Sequence, residues 1–332
     1  MLASKSKRWL KKALVRSSIL PVASRLFPPT AAILAYHSVT EEPQLIENIM
    51  ASRARADFER HMQTLAHKFR PVTVEEVAQF ARSGRRLPPH AVAVTFDDGF
   101  ADNYEVALPI LNRYGVPASF YIMVDAVENG RLPWYCRIRY AFNTTKKSGW
   151  QDPPSGRSFR LPEERAAALT LAWESGAKLT GSVLLEFIGR VEESLETEPA
   201  NAPHGLMMTW DQVQGLRKAG HTVGAHTLSH PNLAQLSASE ARSEILGSKK
   251  RLEQEIGEAV VHFSYPHPAL NPHWSQQTLE ITREAGFQSA VLTTPGPVRR
   301  GDESLAMKRI NTPADLDQFT WNLQACFLGQ AM

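Results

Sequence analysis

From residue 31 onward, short apolar runs alternate with segments whose apolar residues recur at helical spacing. Residues 32–39 read as a buried strand. Phe58, Met62, Leu65 and Phe69 fall at i, i+4, i+7 and i+11, one face of a helix. Thr73 and Glu76 form a capping box that opens a second helix, running through Phe80 and stopped at Gly84. Residues 91–96 are an apolar strand that ends in Asp-Asp-Gly. Ala107, Ile110, Leu111 and Tyr114 give a third helical face, kinked at Pro109 and closed at Gly115. Residues 118–124 form another apolar strand. Strands that are apolar throughout, separated by amphipathic helices, specify a parallel sheet covered by helices.

The alternation stops at Glu128 and resumes near Leu206. The intervening residues 128–205 are too many for a loop and read as a mostly helical insertion. One of its helices starts at Pro162 with Glu163 and Glu164 in the first turn. The other carries Val183, Leu184, Phe187, Ile188, Val191 and Leu195 on one side. After it, Thr209 and Gln212 cap a helix that ends at Gly220, and a strand follows to about Thr227. Ser237 and Glu240 cap a long helix with Ala241, Ile245, Leu252 and Ile256 facing inward. Strands are expected over 260–265, 287–293 and 307–310, and helices over 274–284 and 314–328. No internal repeat of fixed period is present.

Composition narrows the class without naming it. The chain has 332 residues, 43% of them hydrophobic and 21% charged, as in ordinary globular proteins. Cys136 and Cys326 are too few for a disulfide framework or a cysteine-rich zinc site. No run of about 18 apolar residues exists to span a membrane. Seven basic residues (Lys5, Lys7, Arg8, Lys11, Lys12, Arg16 and Arg25) precede the first acid, Glu41. The body therefore holds 30 basic against 34 acidic residues, despite a net charge of +3. A mildly acidic body without a basic, aromatic-interleaved stripe argues against nucleic acid. Residues 1–30 form a basic N-terminal segment in which Arg16 splits the apolar run that a signal peptide needs. Trp9, Leu10 and Leu14 among lysines suit weak attachment of a helix to anionic lipid, and a frayed tail without a partner fits equally. A cytoplasmic or membrane-peripheral location is expected ahead of secretion.

Two motifs carry chemistry. Thr95-Phe96-Asp97-Asp98-Gly99 places adjacent carboxylates where a buried strand runs out, and Gly99 allows a sharp turn there. Taken alone, Asp-Asp-Gly is also a common turn tripeptide. His226-Thr227-Leu228-Ser229-His230 follows another strand. On a helical turn its spacing would put both imidazoles on one face, suiting a divalent ion. Both motifs follow strands of one parallel sheet, and the C-terminal ends of such strands share one mouth. Two imidazoles and one carboxylate then make a three-ligand site with an open position.

These motifs, in this order, resemble those of the polysaccharide deacetylases, the NodB-homology carbohydrate esterases. Gly115-Val116-Pro117-Ala118-Ser119-Phe120 and Gly220-His221-Thr222-Val223-Gly224 add to the resemblance. It implies a distorted seven-stranded (β/α) barrel from residues 31–127 and 206–332, with 128–205 over the active-site mouth. The implied activity is metal-dependent removal of acetyl groups from an N-acetylated glycan. Asp98, His226 and His230 would hold the metal and Asp97 would be the general base. The ion is expected to be zinc, and the same ligands accept cobalt, nickel or manganese.

The chain departs from the family in its third motif, Ser264-Tyr265-Pro266-His267-Pro268, which lacks the arginine that orients the base. His267 and Tyr265 stand there as candidate oxyanion and substrate contacts, the former through its backbone N–H. The late histidine that supplies the acid is also missing, and Met307-Lys308-Arg309-Ile310 stands near its position. Poly-N-acetylglucosamine deacetylases resemble a rearranged version in which an early Tyr-His replaces it, matched here by Tyr36-His37. His37 is therefore expected to be the general acid, with His267 as second choice, and Arg309 to orient Asp97. His204, His221, His262 and His273 are given no catalytic role. Trp134, Trp150, Trp173, Tyr135 and Phe142 of the insertion could stack on sugar or form its own core, and Arg137 and Arg139 could meet an acidic group. Two other functions fit the same residues: a glycan-binding domain that has lost catalysis, and an amidase acting on a non-sugar amide.

Overall fold

The computed structural model describes residues 19–42, 49–50, 52–197 and 205–330, with Lys11, Val15 and Ser17 ahead of them. The interfacial helix expected around Trp9, Leu10 and Leu14, and His204, lie outside the described residues. Seven strands form the frame: β1 (Thr30–Tyr36), β2 (Ala91–Phe96), β3 (Ala118–Ile122), β4 (Thr222–Ala225), β5 (His262–Ser264), β6 (Ser289–Pro295) and β7 (Met307–Asn311). All neighbours in the order β1-β7-β6-β5-β4-β3-β2 are parallel, and β1 pairs with both β7 and β2, so the ring closes. Leu34 pairs with Ile310 on one side of β1 and with Val94 on the other. A register shift between Val291 and Pro295 distorts the barrel where β6 meets β7.

Strand periodicity divides the side chains between two cores. Ala32, Leu34, Tyr36, Val92, Val94 and Phe96 point outward. They pack under α1 (Arg55–Lys68), α3 (Leu108–Tyr114), α7 (Trp210–Lys218), α8 (Ala238–Ile256), α9 (Gln276–Glu284) and α10 (Leu316–Phe327). The alternate residues Ala31, Ile33, Ala91, Ala93, Val291 and Met307 fill the interior together with Val74, Val77 and Ala78 of α2 (Val74–Ser83). These contacts lie at the N-terminal ends of β1 and β2, so α2 closes that end of the barrel. The opposite mouth is left for chemistry.

The capping boxes at Thr73–Glu76, Thr209–Gln212 and Ser237–Glu240 are all present. Pro109 lies inside one continuous helical stretch over residues 101–114. It lies in the first turn of α3, and a π-helical turn over Asn103–Ala107 precedes it, absorbing the missing N–H before the regular ladder begins.

The insertion leaves after β3 and builds a separate apolar cluster from α4 (Trp134–Thr144), α5 (Arg165–Gly176) and α6 (Gly181–Ser194). A small antiparallel pair, Gly149–Gln151 with Ser158–Arg160, joins it. Neither α4 nor this hairpin was expected from the residue pattern. Helix α5 starts three residues after Pro162, following a turn over residues 161–164 in which the Glu164 carboxylate accepts from the Arg160 N–H. Among the described residues no helix is long and apolar enough to cross a membrane.

Gly224 shows how tightly the interior is filled. A Cβ there would lie 2.6 Å from the Tyr121 ring and 2.8 Å from the His262 carbonyl oxygen. Gly224→Ala is expected to destabilise the fold by about 2 kcal/mol or more, read as a lower midpoint in urea denaturation with an unchanged slope.

Candidate active site

At the end of β2 the backbone itself is unusual. Asp97 N–H still donates to Tyr36 O across to β1, but Asp98 then takes φ +78° and Gly99 N–H folds back to Asp97 O at 3.1 Å. This is a three-residue γ-turn centred on a non-glycine residue, a conformation that costs about 1–3 kcal/mol unless the surroundings enforce it. Met123 N–H on Asp98 O and Met208 N–H on Gly99 O do so. The turn sends the two neighbouring carboxylates to different partners.

Asp97 has the parity of Ala93 and Thr95 and points into the barrel. There it meets Arg309, which follows Met307 on the inward side of β7. The guanidinium donates to both carboxylate oxygens, at 2.9 and 2.6 Å. It is held in turn by the Leu292 carbonyl, 2.9 Å from Nε, and by Thr95 Oγ1. Both side chains are about 2% exposed. Burial, the largest single influence, would raise the Asp97 carboxyl, but the Arg309 charge and hydrogen bonds together with the nearby His226 and His37 outweigh it, and the group lies below its ordinary value of 3.8.

Asp98 turns towards His226 and His230. Its Oδ1 is 3.5 Å from each Nε2, and the three side chains are buried. Oδ1 has no hydrogen-bond partner among the described residues. Ligand atoms about 2.0–2.1 Å from a tetrahedral ion lie roughly 3.4 Å apart, so this spacing fits a divalent cation between them. His226 Nδ1 is 2.8 Å from the Ser264 carbonyl, an acceptor only, so Nδ1 carries the proton and Nε2 keeps its lone pair. Burial, then the neighbouring His226, push His230 down to about 3, which leaves it neutral and able to ligate.

The two histidines are not on a helical turn. His226-Thr227-Leu228-Ser229-His230 is irregular, with Thr227 at φ +65° and His230 at φ +62°. What shapes it is Glu244 of α8, a buried carboxylate that accepts from Leu228 N–H, Ser229 N–H and Ser229 Oγ. Thr227 Oγ1 also accepts from His230 N–H. Nothing local to the motif announces Glu244, and reading the sequence missed it.

His37 stands exposed at the end of β1 on the same mouth, close enough that its charge acts on Asp97, Asp98 and His230. Its carbonyl accepts from Asn103 Nδ2, and the Asp102 carboxylate ties Asn103 to Ser38. The third-motif residues lie differently. The Tyr265 ring packs between Phe263 and Trp274 and its hydroxyl donates to Thr282 Oγ1, so this side chain does not reach the mouth. The exposed His267 imidazole pairs with Thr293 Oγ1 and lies against the His273 ring at a tilt. In the insertion, Trp134 and Trp150 are buried core residues, and all three indoles have acceptors: His230 O, Ser194 Oγ and Tyr135 O. Arg137 is spent on a bidentate pair with Glu192.

A family model described as polysaccharide deacetylase matches residues 84–290. The chain belongs to that family. Among its polysaccharide deacetylase relatives, the YxkH protein of Bacillus subtilis (strain 168) is 22% identical over 284 residues, 85% of this chain and 71% of that protein. The poly-beta-1,6-N-acetyl-D-glucosamine N-deacetylase of Escherichia coli (strain K12) is 24% identical over 160 residues, 47% of this chain but only 23% of that protein. The solved deacetylase PplD of Streptococcus pyogenes, in complex with acetate, superposes with a TM-score of 0.60 at 19% identity, covering 91% of this chain and 99% of that one. At that identity the likeness speaks for the fold, the NodB-type seven-stranded barrel. The poly-N-acetylglucosamine branch of the polysaccharide deacetylases is thus represented among the relatives, in line with the early Tyr36-His37.

Removing one partner of a buried ion pair strands the other. Arg309→Leu is expected to cost about 3–5 kcal/mol, and adding Asp97→Asn to restore part of it, in a double-mutant cycle of denaturation free energies. Because the folded-state value of Asp97 is depressed, the wild-type pair contributes fully above the ordinary carboxylate value of 3.8. That contribution is lost as the pH falls through the lower folded value. The double variant should lose less stability in acid.

Proposed function

We propose that this protein is a zinc-dependent deacetylase that hydrolyses the acetamide of an N-acetylated glycan. The observation that carries the reading is the separation of two adjacent carboxylates into a base held by Arg309 and a ligand beside two imidazoles. Asp98, His226 and His230 would hold the ion. When bound, such an ion supplies Lewis acidity, polarising an acyl carbonyl and lowering the pKa of water towards about 7.

The chain's own residues do the rest. Asp97 is ionised at neutral pH, and each of its oxygens keeps a lone pair beyond the one given to Arg309. One of these takes the proton from the attacking water. Arg309, fixed at both ends, stops the carboxylate from rotating towards the ion and stabilises its charge until the proton arrives. His37, across the mouth, gives a proton to the departing amine nitrogen, so that a neutral amine leaves. The kinship with a poly-N-acetylglucosamine deacetylase favours a glycan over other amides.

The test is one preparation with three variants. The zinc-reconstituted protein should contain one ion per chain and release acetate from N-acetylglucosamine oligomers. Asp97→Asn and His37→Ala should each lower kcat about 10²–10⁴-fold with zinc content unchanged, whereas His226→Ala should lose the ion. No acetate from any such glycan by the fully loaded protein would refute the assignment, and full turnover by His37→Ala would remove that residue from the acid's role.

A further inference from the structure

No side-chain hydrogen bond aims the exposed His37 imidazole among the described residues, so the main chain that carries it sets its position. That main chain is gripped from one direction. Tyr36 O accepts from Asp97 N–H at 3.0 Å, and β1 pairs with β2 only as far as Tyr36 with Phe96. Beyond the ladder, the His37 carbonyl accepts from Asn103 Nδ2 at 2.7 Å. The same amide nitrogen donates to Asp102 Oδ1 at 2.9 Å, and Ser38 Oγ donates to Asp102 Oδ2. Three consecutive residues, Tyr36 to Ser38, are thus fastened to residues 97–103, the segment that bears Asp97 and Asp98. Asn103 is the centre of this grip. It is wholly buried, and its Oδ1 has no partner among the described residues, so the side chain is kept there as a donor at the cost of an orphaned acceptor. It also opens the π-helical turn Asn103–Ala107, a rare form that recurs at functional sites. His37 and Ser38 line a cavity of about 390 Å³ together with Asn311 and Thr312 at the end of β7, so the clamped segment borders space open to a ligand.

Resting on the deacetylase reading above, we infer that Asn103 is the positioning residue of the general acid, fixing the His37 backbone at the distance from Asp97 and Asp98 that delivery of a proton to the departing nitrogen needs. The C–N bond of the tetrahedral adduct breaks as the nitrogen receives that proton, because an amine anion is a very poor leaving group. The transfer requires the two heavy atoms to approach to about 2.6–3.2 Å, and a misplacement of about 1 Å can cost 10²-fold. Base, ligand carboxylate and acid are then mounted on one short stretch of chain. Asn103 touches no substrate atom in this role and acts only through His37.

An aryl acetate separates this role from a general structural one, since nitrophenolate leaves without a proton. In the zinc-reconstituted full chain, Asn103→Leu is expected to keep one zinc, measured by elemental analysis. It should lower kcat on N-acetylglucosamine oligomers about 10–10²-fold with KM little changed, while hydrolysis of 4-nitrophenyl acetate changes less than about threefold. In the His37→Ala background the same substitution should cost nothing more on oligomers. Unchanged oligomer turnover would overturn the inference. So would an equal loss on oligomer and ester, a loss of zinc, or a full further loss on top of His37→Ala. Asn103→Asp, which keeps the shape but whose carboxylate cannot donate, takes the place of a leucine variant that does not fold. Wild type that cleaves the ester but no oligomer refutes the glycan reading, and the same comparison on acetanilide then decides for or against Asn103. If the anilide also stays intact, the deacetylase reading and the inference fall together.

Discussion

Two ionised carboxylates on consecutive residues, both buried, set the electrostatic constraint around which this barrel mouth is organised. Like charges about 4 Å apart repel by roughly 4 kcal/mol at an effective dielectric of 20, and burial adds a desolvation cost for each. The γ-turn at Asp98 resolves the conflict by geometry, aiming one carboxylate into the barrel and the other at the histidine loop. Asp97 meets the permanent charge of Arg309, which holds both of its carboxylate oxygens, and Asp98 faces two imidazoles with which it could hold a cation. Strand periodicity makes the first arrangement possible, because Asp97 and Arg309 both fall on inward-facing positions of strands in one closed ring.

The parts of this that were legible in the sequence are those with local causes. Capping boxes report helix starts because the Thr–Glu, Thr–Gln and Ser–Glu pairs satisfy backbone groups within one turn, and each was found where it was expected. Apolar strands buried on both faces leave a plain signature, and β2 occupies the residues its pattern indicates. The Asp-Asp-Gly and His-x-x-x-His motifs could be read as one centre because parallel strands end at one mouth. Reading the histidine pair as a helical turn failed, since its shape is imposed by Glu244, 15 and 16 residues away on another element. Helix α4 was missed because its apolar face belongs to the insertion's own small core, and the hairpin because three-residue strands carry almost no periodicity. The side on which the Tyr265 ring packs depends on tertiary contacts that no local pattern encodes.

The insertion is bound into the centre rather than merely overhanging it. Asn232, just past the ligand loop, donates its backbone N–H to Ala177 after α5 and its side-chain amide to Ala269 and Leu270. Together with Trp134 on His230, these bonds tie the loop to helices whose apolar core is their own. The insertion's packing thereby fixes the orientation of a ligand residue, and disturbance of that core would be felt at the histidines.

The counter-ion of Asp97 lies 212 residues further along the chain, on the strand that seals the ring. A nascent polypeptide therefore carries its acidic pair and its imidazoles long before Asp97 can meet Arg309. Sealing the cylinder and neutralising this buried carboxylate become a single late event.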